Sequence, residues 1–272
     1  MARRDGPPPP APEPLPVEVL DSHCHLDAMG LSTADDVATA VAAARAVGVR
    51  RVITVGDTLA SSRWCVQAAA HPDVYAAVAV HPNEVAGIDE AGYTALAELA
   101  GHPRVRAVGE TGLDYYWGRV PADEQQEAFR RHIALAKDCG KPLVVHDRDA
   151  HDAVLRVLAE EGAPDRTVLH CFSGDAELAR TCADRGYLLS FAGTVTFKNA
   201  AAVRAAAAVV PMDQVLVETD APFLAPTPHR GRPNAPYLIP LTVRVLADIK
   251  RVELAELCAA LGRNGERVFG PW

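Results

Sequence analysis

At 272 residues, 49% of them apolar, the chain is long enough for one large domain with a well-buried core and has the size of a (β/α)₈ barrel. No apolar run approaches the ~18 residues of a membrane-spanning helix, and no stretch in the first sixteen residues suits a secretory signal, so a cytoplasmic protein without membrane contact is expected. A formal charge of −8 repels phosphate backbones, so a nucleic-acid ligand would have to be held by local positive charge, and six scattered cysteines without a CxxC pair read as free thiols.

In chain order, residues 1–16 (MARRDGPPPPAPEPLP) are dense in proline, which cannot pair its backbone in helix or sheet; they read as a disordered extended tail. From residue 17 short apolar runs alternate with longer Ala-rich amphipathic segments. The candidate strands are VEVLDSHCH (17–25), RRVITVG (50–56), VYAAVAVHP (74–82), VRAVGETGLD (105–114), PLVVHDR (142–148), RTVLHCFSG (166–174), YLLSFAGTV (187–195) and QVLVETDAP (214–222). Helical patterns lie between them, several ending at Gly48, Gly140, Gly162 or Gly186, where a C-cap tolerates a left-handed residue. Strands that each lead into a helix imply parallel pairing with right-handed crossovers, and their continuous apolar runs imply burial on both faces. Eight of them favour a closed TIM barrel of the α/β class over an open doubly wound sheet. The last segment supplies two helices that complete the outer ring, giving a single domain over residues 17–272.

Ligand-type side chains cluster where these strands end, which in a TIM barrel is the catalytic face. His23 and His25 are two apart on the first strand and share a face, while Cys24 points away. Glu110 ends the fourth strand, His146 the fifth, His170 the sixth and Asp220 the eighth. Taken singly, each has an ordinary structural explanation, such as a hydrogen-bonded core histidine or a capping carboxylate. Barrel closure gathers all six around one axis, and burying so many polar groups together without a metal would be expensive. Six donors exceed one tetrahedral ion and divide between two: His23, His25 and Asp220 on one, His146 and His170 on the other, with Glu110 bridging. Two divalent ions can activate a water and clamp the attacking and leaving oxygens of a displacement, with Asp220 orienting that water or taking its proton. Zinc, manganese and magnesium are the candidate ions, and four imidazoles favour the first two.

Weaker signals surround this set. His81 faces the same mouth, as a substrate contact or a partner of a ligand; Glu218, two before Asp220, points the same way. Lys198 and the loop carrying His229, Arg230 and Arg232 offer charge for phosphate oxygens. Tyr115, Tyr116 and Trp117 could stack on bases or pack a lid. Strand alternation should also turn Cys171 away from the mouth. His71, His102, His132 and His151 fall in helices or helix ends and read as surface.

The segments DSHCHLD, VHPNE, GETGLDYYW, PLVVHDRDAHD, LHCFSG, ETDAPFLAP and HRGRPN, in this order from about Leu20 to the C-terminal NGERVFG, resemble the motifs of the TatD family of metal-dependent deoxyribonucleases. The resemblance implies an amidohydrolase-type barrel with two divalent metals on His23, His25, Glu110, His146, His170 and Asp220. It implies phosphodiester hydrolysis on DNA, often as a 3′→5′ exonuclease. RGRPNAP stands where the family more often has RGKRNEP, and the proline tail lies outside the family pattern. A different class competes: a small-molecule amidohydrolase, esterase or aminoacyl-ester deacylase, favoured by the acidic charge. A monomer is expected.

Overall fold

In the computed structural model, which describes residues 6–271, the apolar runs become eight strands: β1 (Val19–Cys24), β2 (Val49–Gly56), β3 (Val74–Val78), β4 (Val105–Asp114), β5 (Leu143–Arg148), β6 (Thr167–Leu169), β7 (Leu188–Phe191) and β8 (Val215–Val217). Each pairs in parallel with the next. The circle closes where Cys24 bridges Ala221, just beyond β8. Two main-chain bonds hold this seam, Asp220 N–H to the His23 carbonyl (2.9 Å) and His25 N–H to the Ala221 carbonyl (2.6 Å). Around the barrel run α1 (Ala34–Ala46), α2 (Leu59–Ala68), α3 (Glu90–Ala100), α4 (Ala122–Asp138), α5 (His151–Glu161), α6 (Ala176–Asp184) and α7 (Ala201–Val209), followed by α8 (Ile239–Lys250) and α9 (Leu254–Phe269). The fold is the expected (β/α)₈ barrel.

Side-chain alternation along the strands produces two apolar layers. Leu20, Ile53, Val55, Tyr75, Ala77, Ala107, Val144, Val168, Leu188 and Leu216, drawn from all eight strands, fill the interior, and Val268 and Phe269 of α9 join them. The alternate residues pack outward against the helices in a larger cluster that includes Cys24. The barrel is therefore solid below its mouth, and polar chemistry is confined to the ends where the strands run out.

The last three strands are shorter than their apolar runs suggest. β6 stops at Leu169 and β8 at Val217, so His170 and Asp220 lie on the loops just beyond. Cys171 (φ 44°) and Asp220 (φ 53°) adopt left-handed backbone, which no strand can continue. Strand alternation therefore does not govern Cys171, whose backbone N–H is instead held by Glu218 (2.8 Å).

The proline-rich segment carries neither helix nor strand, but against the expectation of a disordered tail its residues 7–16 lie on the barrel. Proline lacks an N–H yet keeps its carbonyl acceptor, and three side chains use it: Arg232 donates to Pro7 (2.7 Å), Tyr237 to Pro9 (2.7 Å) and Arg244 to Pro14 (3.1 Å). Leu15 N–H then bonds the Val47 carbonyl (3.0 Å), and the Leu15 side chain enters the outer core. Residues 1–5 of that tail lie outside the described residues.

His132 also departs from expectation. It is fully buried on the inner stripe of α4, beside Phe129 and Ile133. Its Nδ1–H faces the Ala128 carbonyl (2.7 Å), and its Nε2 accepts the Val80 N–H (3.1 Å), pinning the chain as it leaves β3.

Candidate metal centre

Two bulges aim the ligands. Between Asp21 and Cys24, β1 has one residue more than the facing stretch of β2, and between Val108 and Thr111, β4 has one more than β5. A bulge re-aims the side chain it carries; here those stretches hold His23 and Glu110. The second bulge needs glycine on both sides. A Cβ on Gly109 (φ 156°) would lie 2.5 Å from Val144 Cβ, and one on Gly112 (φ 136°) 2.1 Å from the His146 carbonyl oxygen. Only glycine lets β4 approach β5 closely enough to set Glu110 over the axis.

Glu110 then divides its two oxygens. Oε1 lies 3.6 Å from His23 Nε2 and 3.4 Å from His25 Nε2. His25 Nε2 is in turn 3.2 Å from His23 Nε2 and 3.4 Å from Asp220 Oδ1. Oε2 lies 3.0 Å from His146 Nδ1 and 2.6 Å from His170 Nε2, which are 3.2 Å apart. A tetrahedral ion bonded at about 2.0–2.2 Å has donor-to-donor edges of about 3.3–3.6 Å; the Glu110–His23, Glu110–His25 and His25–Asp220 separations fall in that range, and those around Oε2, at 2.6, 3.0 and 3.2 Å, are shorter. The six ligand-type side chains thus gather on both sides of one carboxylate, and sets drawn from them, His23–His25–Asp220 and His23–Glu110–His170, could each hold a metal ion.

The far nitrogens set the tautomers. His25 Nδ1 lies 3.0 Å from the Val55 carbonyl, His170 Nδ1 3.3 Å from Glu218 Oε1, and His146 Nε2 3.3 Å from Asp114 Oδ2. An N–H donated outward leaves a lone pair facing inward, the arrangement a metal-binding histidine requires. Charge balance agrees. Burial opposes a proton on His25, but the Asp57, Asp220 and Glu110 carboxylates raise it to about 10. Burial likewise opposes protonated His170 and His146, and Glu110 with Glu218 and Asp114 with Glu110 raise them. Glu110 is pushed up by burial, yet the surrounding imidazoles hold it well below the usual carboxylate range. His23 falls to about 4 through burial and the nearby His170. The donor set is rich in buried carboxylate and suits positive ions.

His81 lines the cavity above these residues. Its Nδ1 accepts the Asn83 N–H (3.0 Å), so a neutral ring carries its proton on Nε2 and offers a donor rather than a lone pair. Burial lowers its pKa to about 3, which keeps it neutral. Lys198, Arg230 and Arg232 do not line that cavity. Arg230 lies over the Phe197 ring, Arg232 is engaged by Pro7, and Lys198 stands exposed after the last turn beyond β7. The guanidiniums at the mouth belong to Arg119 and Arg148.

Three carboxylate or amide residues escaped the sequence reading. Asp114 accepts Asn83 Nδ2 (2.9 Å) and His146 on one oxygen and the Tyr116 and Trp117 N–H groups on the other. Burial would raise it, but His146, Trp117 and Asn83 hold it at about 2. Asp57 Oδ1 sits 3.3 Å from His25 Nδ1 and, with His25 and Glu110, makes a further group able to hold a cation. Their signal was position alone: Asp57 and Asp114 stand where β2 and β4 end, and Asn83 lies in the loop that follows β3.

An eight-stranded barrel with imidazoles and carboxylates converging at its C-terminal mouth defines a metal-dependent hydrolase. Residues 20–270 match the family model described as TatD related DNase. The chain is 49% identical over 258 residues to an uncharacterized metal-dependent hydrolase TatD of Mycobacterium tuberculosis, covering 93% of this chain and 98% of that one. Among solved structures it is similar to YjjV, a TatD homolog from Escherichia coli (TM-score 0.87, 27% identity, 93% and 98% coverage). The barrel is also shared with an organophosphorus hydrolase from Deinococcus radiodurans (TM-score 0.62, 16% identity, 94% of each chain). The chain belongs to the TatD family.

Proposed function

We propose that this protein is a deoxyribonuclease that hydrolyses DNA phosphodiesters from the 3′ end with two divalent metal ions, acting as a cytoplasmic monomer. The observation that carries the reading is Glu110, whose two oxygens each face a separate pair of histidines. When bound, a pair of ions supplies Lewis acidity to the phosphate and lowers the pKa of water. The chain's own residues do the rest. His23, His25 and Asp220 make the first seat and His146 and His170 the second, with zinc or manganese suited to the imidazoles. Asp220, whose side chain is 13% exposed at the cavity, is placed to orient the attacking water and accept its proton. His81 Nε2–H donates to a non-bridging phosphate oxygen, and Arg148 and Arg119 supply the local charge that an acidic protein needs to hold a polyanion.

A small-molecule ester or amide hydrolase is the second reading, favoured by the net charge of −8 and by Arg230 and Arg232 being engaged away from the cavity. Protein stripped with chelator and reloaded with single metals separates the two. Substrates are 3′- and 5′-labelled DNA and a panel of simple esters. The nuclease reading expects metal-dependent shortening from the 3′ end that falls steeply with salt. Ester turnover without DNA cleavage replaces it with the second reading.

A further inference from the structure

Among the described residues the large apolar side chains that stand exposed are Val17, Tyr116 and Trp117, at 38%, 55% and 47%. The last two sit side by side immediately after β4, their rings edge-to-face with centroids 5.1 Å apart. Two arginines join them. Arg148, at the end of β5, lies 4.0 Å from the Tyr116 ring centre and 5.5 Å from that of Trp117. Arg119 lies 5.3 Å from the Trp117 ring and 3.8 Å from the exposed Glu84. Trp117, Arg119 and Arg148 line the same cavity as His146 and Asp220.

The cluster is fixed to the metal centre through one side chain. Asp114 Oδ1 accepts the N–H groups of Tyr116 (3.0 Å) and Trp117 (3.1 Å), and its Oδ2 accepts from His146. A carboxylate thus separates the aromatic turn from a second-seat ligand. Two exposed rings flanked by guanidiniums at the lip of a hydrolytic site match a chemistry with two demands, a flat π-face and a neighbouring anion. A nucleotide presents both, and a simple ester does not. The base must be drawn out of the stack, which a single strand or a frayed 3′ end allows, because a base inside a duplex has both faces covered by its stacked neighbours.

We infer that Trp117 and Tyr116 form a stacking subsite for an unpaired nucleobase next to the phosphate being cleaved, with Arg148 and Arg119 on the flanking backbone. The inference rests on the nuclease reading and adds to it the group that the mouth grips. Stacking of one base on an aromatic side chain contributes about tenfold or more in affinity.

The test is a cycle between protein and substrate. Metal-loaded wild type, Trp117→Ala and Trp117→Phe are assayed on a single-stranded oligonucleotide and on the same strand with an abasic residue beside the scissile phosphate. Wild type should show a KM about tenfold higher for the abasic strand. In Trp117→Ala the KM for the intact strand should rise to that value and the discrimination should vanish, and Trp117→Phe should restore most of it. A general structural defect would raise both KM values together and leave their ratio intact; that result overturns the subsite, as does a wild type indifferent to the missing base. The nuclease reading has its own readout, methyl p-nitrophenyl phosphate. A wild type that hydrolyses this small diester but no oligonucleotide overturns that reading and the subsite with it.

Discussion

The two seats on Glu110 differ in kind. The first draws four donors, its His23 and His25 side chains are 0% and 3% exposed, and its ligands come from both sides of the barrel seam. The second draws three donors from β4, β5 and the loop just beyond β6, and its His146 side chain is 17% exposed toward the cavity, beside Asp220 of the first at 13%. The outer partners differ too. His25 Nδ1 is shared between the Val55 carbonyl (3.0 Å) and the Asp57 carboxylate (3.3 Å), whereas His146 and His170 lean on carboxylates alone, those of Asp114 and Glu218, which make an imidazole a stronger ligand. Under the two-ion reading, a four-donor group would be filled by protein, and a three-donor group would keep a position for the reacting molecule.

Removing what the seats share should cost most. Glu110→Gln keeps the size but loses the charge that offsets repulsion between two cations. It should lose more than about 100-fold in turnover, beyond the effect of any outer partner, and retain at most one tightly bound ion by elemental analysis. Two ions with near-normal turnover would show that the seats are independent. His146→Ala is next: it should lose one ion only and recover part of its activity at high added metal, whereas His23→Ala should not. Equal behaviour of the two variants would erase the distinction between seats.

Asp114→Asn sharpens the comparison more gently. It should weaken one of the two ions by about 10–100-fold and leave the other's affinity unchanged, measured by competition with a chelating dye. A pH titration probes both seats. Protons and ions compete for nitrogens that the carboxylates make more basic, so loading at pH 7 should release protons, and affinity should fall as pH falls from 8 to 6. Binding independent of pH would contradict the donor assignment.

A further effect lies outside the seats. Burial holds His132 neutral, with a folded-state pKa of about 4 against 6.5 for the free side chain. Its contribution to stability is complete above pH 6.5 and is lost as pH falls toward 4, because the unfolded chain takes up the proton first. His132→Gln should therefore lose less stability than wild type over that window, by up to about 3 kcal/mol, in urea melts of the metal-loaded proteins. Parallel curves would place the acid sensitivity elsewhere.

The barrel was legible from its alternating runs, and candidate ligands because a polar side chain after buried residues marks where a strand runs out, as at Glu110, His146 and His170. The rest depended on three-dimensional partners. Asp57 and Asp114 also end strands, but a single carboxylate there reads as a turn until the imidazole across from it is known. Arg230 and Arg232 looked like phosphate contacts because of their charge, and charge does not reveal that Pro7 and Phe197 lie beside them. His132 was recoverable: Gln125, Ala128, Phe129, His132, Ile133 and Ala136 form one helical stripe, and a histidine on such a stripe is inside. The proline segment misled because a missing N–H says nothing about carbonyls that can still accept.

The seam between β1 and β8 has a consequence for how the protein is made. His23 and His25 leave the ribosome early, and Asp220 follows almost two hundred residues later. The first seat therefore cannot form until the barrel has come full circle and Cys24 meets Ala221. An ion bound there would act as a clasp that recognises the finished ring and would stabilise it by mass action, by about 2.7 kcal/mol at a hundredfold excess over Kd. A chain cut before residue 220 lacks one of the three side chains, so an ion that needs all of them would be held only by molecules whose barrel has closed.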